Sequence, residues 1–440
     1  MQLQLFFVLI TTIICVYMNH KVYKDNTLNR RLFYLVIGIW VLLILLSTLT
    51  YNNTLSLSLK TTCLLCLGNI ALTIGFCLYR YRPIKMSILK KFLSSRKIKF
   101  NVNFNILFSI IQVILCMIFI YYFIKYQYLL RNLGIEMSRM IKFELGLLFS
   151  NKIESYIFQY LFTPLLYISI FFYCIKIFDG EKYNKKILIL LFVNILLYSL
   201  IGQGRMIYFQ LLLILIIFIF KKICTNSELI VNNFYKIGIF FGFLIVMLFF
   251  ISFIRMGFTL ENISRVPEYF NRAVSQAFIY FTGPFKGLDY YINQVSTTGN
   301  FFPGQFTFYV FFNPIEKLFQ IIGLSINYDN PMIYLQQYIP LSQYLSFNAL
   351  FTYYINFYMD FSYFGFIIMP LILGYFMAFL FSKINSKSIS IRLFVFFNFT
   401  NLIMGILRWE YQNFDVFFTI VIILIIYFLE QDGAHAKIHL

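Results

Sequence analysis

Few residues in this chain are equipped for chemistry, and most of those are arginines, amides and one aspartate. Asn348, Thr352, Asn356 and Asp360 follow one another at intervals of four, so on a helix they form a single polar stripe. The residues between them are aromatic and aliphatic. An ionisable side chain at the edge of an apolar span is by default a functional candidate facing a cavity, and the plainer alternative is polar glue between helices. Arg205 closes the turn Gly202-Gln203-Gly204-Arg205 between two apolar runs, while Arg255, Arg265 and Arg272 flank a later stretch and Arg408 follows a late apolar run. The guanidinium fork fits phosphate and diphosphate oxygens, so these arginines can hold an anionic lipid headgroup. An arginine that merely snorkels needs only a charge on a long stem. The Gly202–Gly204 turn is no dinucleotide fingerprint, because Ile207 stands where a third glycine is needed and no strand precedes it.

Some chemistry is missing. The only histidines are His20, His435 and His439. The chain has no Asp-x-Asp pair for a metal-bound nucleotide sugar, no Walker-type phosphate loop and no His-Glu-x-x-His. Neither a metal nor a cofactor is expected.

The elements that must position these residues follow from composition. Apolar residues make up 60% of the 440, charged residues 12%, and the mean hydropathy is +0.78. A soluble domain carries roughly 25% charged residues. The 57 Phe and 34 Tyr suit lipid and its interfaces. The expected class is an all-α, polytopic integral membrane protein. The formal charge of +19 does not imply nucleic acid, since basic residues of membrane proteins gather in cytoplasmic loops. Cys63 and Cys66 have CxxC spacing but lie inside an apolar run without a second pair, which reads as a buried helical pair. Leu3–Met18 lacks a positive flank before it and a small-residue cleavage site after it, so it reads as a first span.

A ruler of about 20 apolar residues per crossing gives about eleven transmembrane helices: 3–18, 32–50, 61–79, 103–124, 156–175, 187–201, 206–220, 237–254, 361–381, 393–407 and 416–429. One set of alternating loops holds 23 of the 36 Lys and Arg residues in short, dense clusters. That set is expected to be cytoplasmic, which puts the N-terminus outside, the C-terminus inside and segment 255–345 outside. The whole of 1–440 then reads as a single membrane domain with one large extracytoplasmic loop.

Within that loop, Pro267 and Glu268 suit a helix start. Tyr269, Phe270, Ala273, Val274, Ala277, Tyr280 and Phe281 recur at helical spacing, with Arg272, Ser275 and Gln276 on another face. This predicts an amphipathic helix lying on the membrane, stopped by Gly283-Pro284. From Ala349 to Phe381 the stretch is too long for one upright span, so 346–360 is expected to be interfacial or re-entrant.

These features resemble the Wzy-type oligosaccharide repeat-unit polymerases of O-antigen and capsule synthesis. The resemblance is carried by the Gly202-Gln203-Gly204-Arg205 turn, the large late outer loop, Asn348 to Tyr354, and Asp360-Phe-Ser-Tyr-Phe-Gly365 leading into a span with Gly374. Arg272 with Gly283 also resembles an arginine–glycine spacing of such loops. The resemblance implies that undecaprenyl-diphosphate-linked repeat units, already flipped outward, are joined at the outer face of the bacterial plasma (inner) membrane, without metal. Membrane lipids, a flippase and a chain-length regulator would be its partners. Arg205, Arg272 and Asp360 would be catalytic. Arg255, Arg265, Arg408, Asn348, Thr352, Asn356 and Tyr280 would bind substrate. Asp289, Glu261, Glu268 and Glu410 are the other carboxylates available as a base, with Asp360 preferred on the stripe argument. Ligases of related architecture typically use an outer histidine, which this chain lacks. An O-antigen ligase-like transferase and a lipid-linked oligosaccharide flippase or secondary transporter are the alternatives.

Overall fold

The computed structural model describes residues 2–25, 27–49, 56–83, 103–141, 147–202, 206–225, 234–258, 260–294, 303–321, 339–341, 346–347 and 352–436. It is almost wholly helical. The helices are α1 (Gln2–Val22), α2 (Thr27–Thr48), α3 (Leu59–Tyr81), α4 (Phe104–Ile141), α5 (Lys152–Ile157), α6 (Thr163–Asp179), α7 (Lys185–Gly202), α8 (Met206–Thr225), α9 (Phe234–Arg255) and α10 (Val266–Gln294). They continue with α11 (Tyr309–Ile321), α12 (Tyr353–Phe361), α13 (Gly365–Ser382), α14 (Ile389–Met404) and α15 (Phe414–Ala436). Two short strands, β1 (Ile339–Pro340) and β2 (Ser346–Phe347), pair antiparallel with Ile339 opposite Phe347.

Among the described residues, seven helices are long and apolar enough to cross a membrane: Gln2–Val22, Leu28–Thr48, Leu59–Tyr81, Phe104–Gly134, Lys152–Asp179, Met206–Cys224 and Tyr353–Ser382. Phe241–Arg255 and Ile389–Met404 are shorter apolar helices. Large apolar side chains such as Ile13 (67% exposed) and Ile124 (63%) point outward. That is the surface of a protein solvated by lipid, whose chains accept such faces at no cost. The protein is a multi-span helical membrane protein.

The chain divides into two compact units. The first comprises Met1–Lys85, Val274–Lys383 and Asn401–Phe414. Its spine is the crossing of α3 with α13, where backbones touch because glycines carry no Cβ. A Cβ on Gly75 would overlap the Leu371 carbonyl, and one on Gly374 would overlap the Leu72 carbonyl. Without a hydrophobic driving force between helices in lipid, such close approach is a main source of association. Around it Trp40, 1% exposed, meets Phe285, Tyr353 and Tyr354 at ring separations of 5.5, 5.4 and 5.2 Å. The unit has two polar ends. At one, Tyr79 bonds Ser382 at 3.1 Å and Tyr375 donates to the Arg82 carbonyl. At the other, the start of α3, the C-terminal part of α10 and the start of α13 come together. There Lys60 Nζ reaches the Ile292 carbonyl at 3.5 Å and lies 5.3 Å from the Tyr363 ring centre.

The second unit comprises Met86–Ala273, Ile384–Thr400 and Asp415–Leu440. Helices α4 and α7 share a buried amide contact, Asn194 Nδ2 donating to Gln112 Oε1 at 2.9 Å. A π-turn, Phe158–Phe162, joins α5 to α6. Pro164 supplies the reason, since its ring cannot tolerate a regular i−4 carbonyl, and Thr163 Oγ1 instead bonds the Phe158 carbonyl at 3.1 Å. Three chain segments meet in an ionic cluster. Arg392 donates to Asp179 and, at 2.9 Å, to Glu181. Lys221 lies 3.4 Å from Asp179 and Lys176 lies 3.2 Å from Glu181. Burial pushes the Glu181 carboxyl up, but hydrogen bonds from Arg392 and Lys176 outweigh it and leave its pKa below the usual carboxylate value.

Helix α10 corrects one expectation. Gly283-Pro284 does not stop it, and the helix runs on to Gln294 with Pro284 inside. A proline removes one backbone bond, and packing outweighs the loss. Phe285 and Leu288 are fully buried beyond it. Gly283 leaves room for the Phe347 ring, which a Cβ would meet at 2.9 Å.

Candidate functional site

Two residues of the polar stripe, Asn356 and Asp360, form a clasp. Helix α12 is buried along Tyr353–Phe357, and a break at Ser362 (φ 52) separates it from α13. Asp360 Oδ1 accepts the Phe306 N–H at 3.0 Å and Oδ2 accepts the Thr307 N–H at 2.7 Å. One turn earlier, Asn356 Nδ2 donates to the Phe306 carbonyl at 2.9 Å and to Gln412 Oε1 at 3.0 Å. Trp409 Nε1 donates to the Thr307 carbonyl at 2.8 Å. Asp360 and Asn356 therefore grip both polar groups of one buried peptide, and the segment Gly304–Thr307 is pinned against the bundle. Thr352 is fully buried, and among the described residues its hydroxyl oxygen has no hydrogen-bond partner. Asn348 lies outside the described residues.

At the same end of this unit, the part of α10 beyond Pro284 presents Lys286, Asp289, Tyr290 and Asn293 on one face. These line a cleft with Ser56, Gln294, Pro340 and Leu341, enclosing about 430 Å³ of empty space, open solvent included. Asp289 Oδ1 accepts from Ser58 Oγ, from Thr61 Oγ1 at 2.5 Å and from Asn293 Nδ2 at 2.8 Å. Among the described residues its Oδ2 takes only the Ser58 N–H, at 3.2 Å. Ser58 also caps α3, accepting the Thr61 N–H at 3.3 Å. Lys286 is 5% exposed and donates to the Leu49 carbonyl at 3.2 Å. Burial lowers its pKa to about 8, because removal from water disfavours the charged amine.

Arg265, Arg272 and Arg408 each have a polar partner close by. Arg265 and Arg272 are exposed and both pair with Glu268, at 3.4 and 2.6 Å. Arg255 is half-buried at the end of α9. Arg408 belongs to the first unit and donates to Asn413 at 2.9 Å, which in turn donates to Glu410 at 2.7 Å. Arg205 and the side chain of Glu261 lie outside what is described. Across the turn that Arg205 closes, Ser199 and Tyr208 bond at 2.7 Å. Tyr280 is half-buried, with its ring 6.5 Å from that of Phe347. Among the described residues no cluster of His, Cys, Asp and Glu is arranged to hold a metal ion.

Sequence reasoning named Asp289 but missed Lys286, Asn293, Ser58 and Thr61. The signal was present: positions 286, 289, 290 and 293 repeat at i, i+3, i+4 and i+7. Expecting Gly283-Pro284 to end the helix hid it. No family model matches the chain, and neither a curated protein nor a solved structure is significantly similar to it.

Proposed function

We propose that this protein polymerises undecaprenyl-diphosphate-linked oligosaccharide repeat units into a surface polysaccharide, O-antigen or capsule, at the outer face of a bacterial plasma membrane. In this reading the chain crosses about eleven times, with its N-terminus and segment 255–345 outside and its C-terminus in the cytoplasm. The acceptor hydroxyl oxygen bonds to the anomeric carbon of the growing glycan. The bond from that carbon to the donor diphosphate breaks, its electron pair leaves on the lipid diphosphate, and the hydroxyl proton passes to a carboxylate. Arg205 and Arg272 stabilise the charge developing on the diphosphate, and Arg255, Arg265 and Arg408 favour the anionic headgroup. A flippase supplies the outward-facing substrate and a chain-length regulator sets how long the glycan grows.

One observation carries the reading. An apolar helical bundle ends in a polar cleft lined by a buried lysine, a carboxylate and amides, where a substrate anchored in lipid would meet hydroxyl-binding groups. Deleting the protein tests it. The host should then carry single repeat units on its final acceptor, and long chains should vanish. Long glycan left on the lipid carrier would indicate a ligase, and repeat units stranded on the inner leaflet a flippase.

A further inference from the structure

The cleft on α10 differs in chemistry from an anion site. Its one buried cation, Lys286, lies one helical turn from a carboxylate, Asp289, so the pair carries no net charge with which to attract a diphosphate. Its polar lining consists of a carboxylate, two primary amides (Asn293 and Gln294), a serine hydroxyl, a phenol and an amine. These are the donors and acceptors that pair with vicinal hydroxyls. Tyr290, Pro340 and Leu341 supply apolar surface for the C–H face of a ring. Asp289 Oδ1 takes three donors, from Ser58, Thr61 and Asn293, while among the described residues Oδ2 takes only the longer Ser58 N–H bond and keeps acceptor capacity.

We infer that this cleft is a glycan subsite, in which Asp289, Asn293 and Lys286 hydrogen-bond the hydroxyls of a repeat-unit sugar. The inference rests on the polymerase reading for the identity of the sugar and not for the chemistry of the cleft. In that reading it holds a sugar of the repeat unit.

The test uses the purified full chain in lipid nanodiscs with Ser56→Cys, an exposed position on the cleft wall. The rate of labelling by a charged thiol reagent is measured, with the parent chain reporting the native cysteines. The probes are the host's own repeat-unit oligosaccharide, cut from its carrier by mild acid and freed of phosphate, and inorganic pyrophosphate. The oligosaccharide should slow labelling and pyrophosphate should not. Asp289→Asn and Asn293→Ala, each at parental membrane level, should weaken the protection roughly threefold to tenfold, the worth of one lost hydrogen bond. Protection by pyrophosphate alone, protection by neither, or full protection in both variants would overturn the inference. Oligosaccharide protection in a protein whose deletion leaves long chains intact would sink the polymerase reading and keep the glycan site.

Discussion

Asp360→Asn separates a loop anchor from a reactive carboxylate. The aspartate accepts two backbone N–H groups, Phe306 on one oxygen at 3.0 Å and Thr307 on the other at 2.7 Å. Asparagine keeps the shape but supplies one oxygen and one NH₂. One N–H of the loop then faces a donor and loses a bond to a charged acceptor, a cost of about 1.5–3 kcal/mol. With the remaining Asn356 and Trp409 contacts intact, the Gly304–Thr307 segment should open about ten- to a hundredfold more often, at 1.36 kcal/mol per decade. Gln305 is 2% exposed, so Gln305→Cys reports that opening through its labelling rate by a soluble thiol reagent. Trp409→Phe removes a single neutral bond to the Thr307 carbonyl and should raise the rate less, by about 0.5–1.5 kcal/mol worth of opening. Equal labelling of Gln305→Cys with and without the Asp360→Asn substitution would refute the clasp and return Asp360 to the role of a free carboxylate.

Three further outcomes follow from other parts of the molecule. Gly374→Val should lower the thermal midpoint of the detergent-solubilised protein sharply, because its side chain meets the Leu72 carbonyl at the α3–α13 crossing, and overpacking costs about 1–3 kcal/mol or more; an unchanged midpoint would mean the helices do not touch there. Lys286 has a folded pKa of about 8 against an ordinary 10.5, so between these values the unfolded chain binds more protons and stability should rise with pH; in Lys286→Met that rise should disappear, which a melting series from pH 7 to 10.5 measures. Cysteines at Ser264 and Asn385, both exposed, should report opposite sides: an impermeant reagent should label Ser264→Cys in cells with a permeable outer envelope and reach Asn385→Cys only after the plasma membrane is broken.

The fold class was readable because hydropathy alone decides it. Every expected span overlaps a helix, and within 349–381 the helix breaks at Ser362. The number of crossings is less legible, since segments such as 237–254 and 393–407 are near the minimum length and their neighbours decide whether they span. At the site, the i+4 spacing of Asn356 and Asp360 correctly predicted one face, but not what that face meets. Their partner is the backbone of Phe306 and Thr307, about fifty residues away in sequence, and backbone groups leave no mark in side-chain patterns. Lys286 was hidden for a different reason. Pro284 carries a strong local signal to stop, and it was overridden by the burial of Phe285 and Leu288, a tertiary effect. Among the arginines, Arg265 and Arg272 both pair with Glu268 by simple helical proximity, which residue type alone does not announce.

The most direct measurement is chain growth in a defined membrane. The purified protein is placed in lipid vesicles with purified undecaprenyl-diphosphate-linked repeat units, with no nucleotide sugar and no divalent metal, and products are resolved by mass. The account predicts carrier-linked glycans of two, three and more units, with one undecaprenyl diphosphate released for every new linkage. Repeat units that remain single while the protein is folded, or that merely change leaflet, would contradict it.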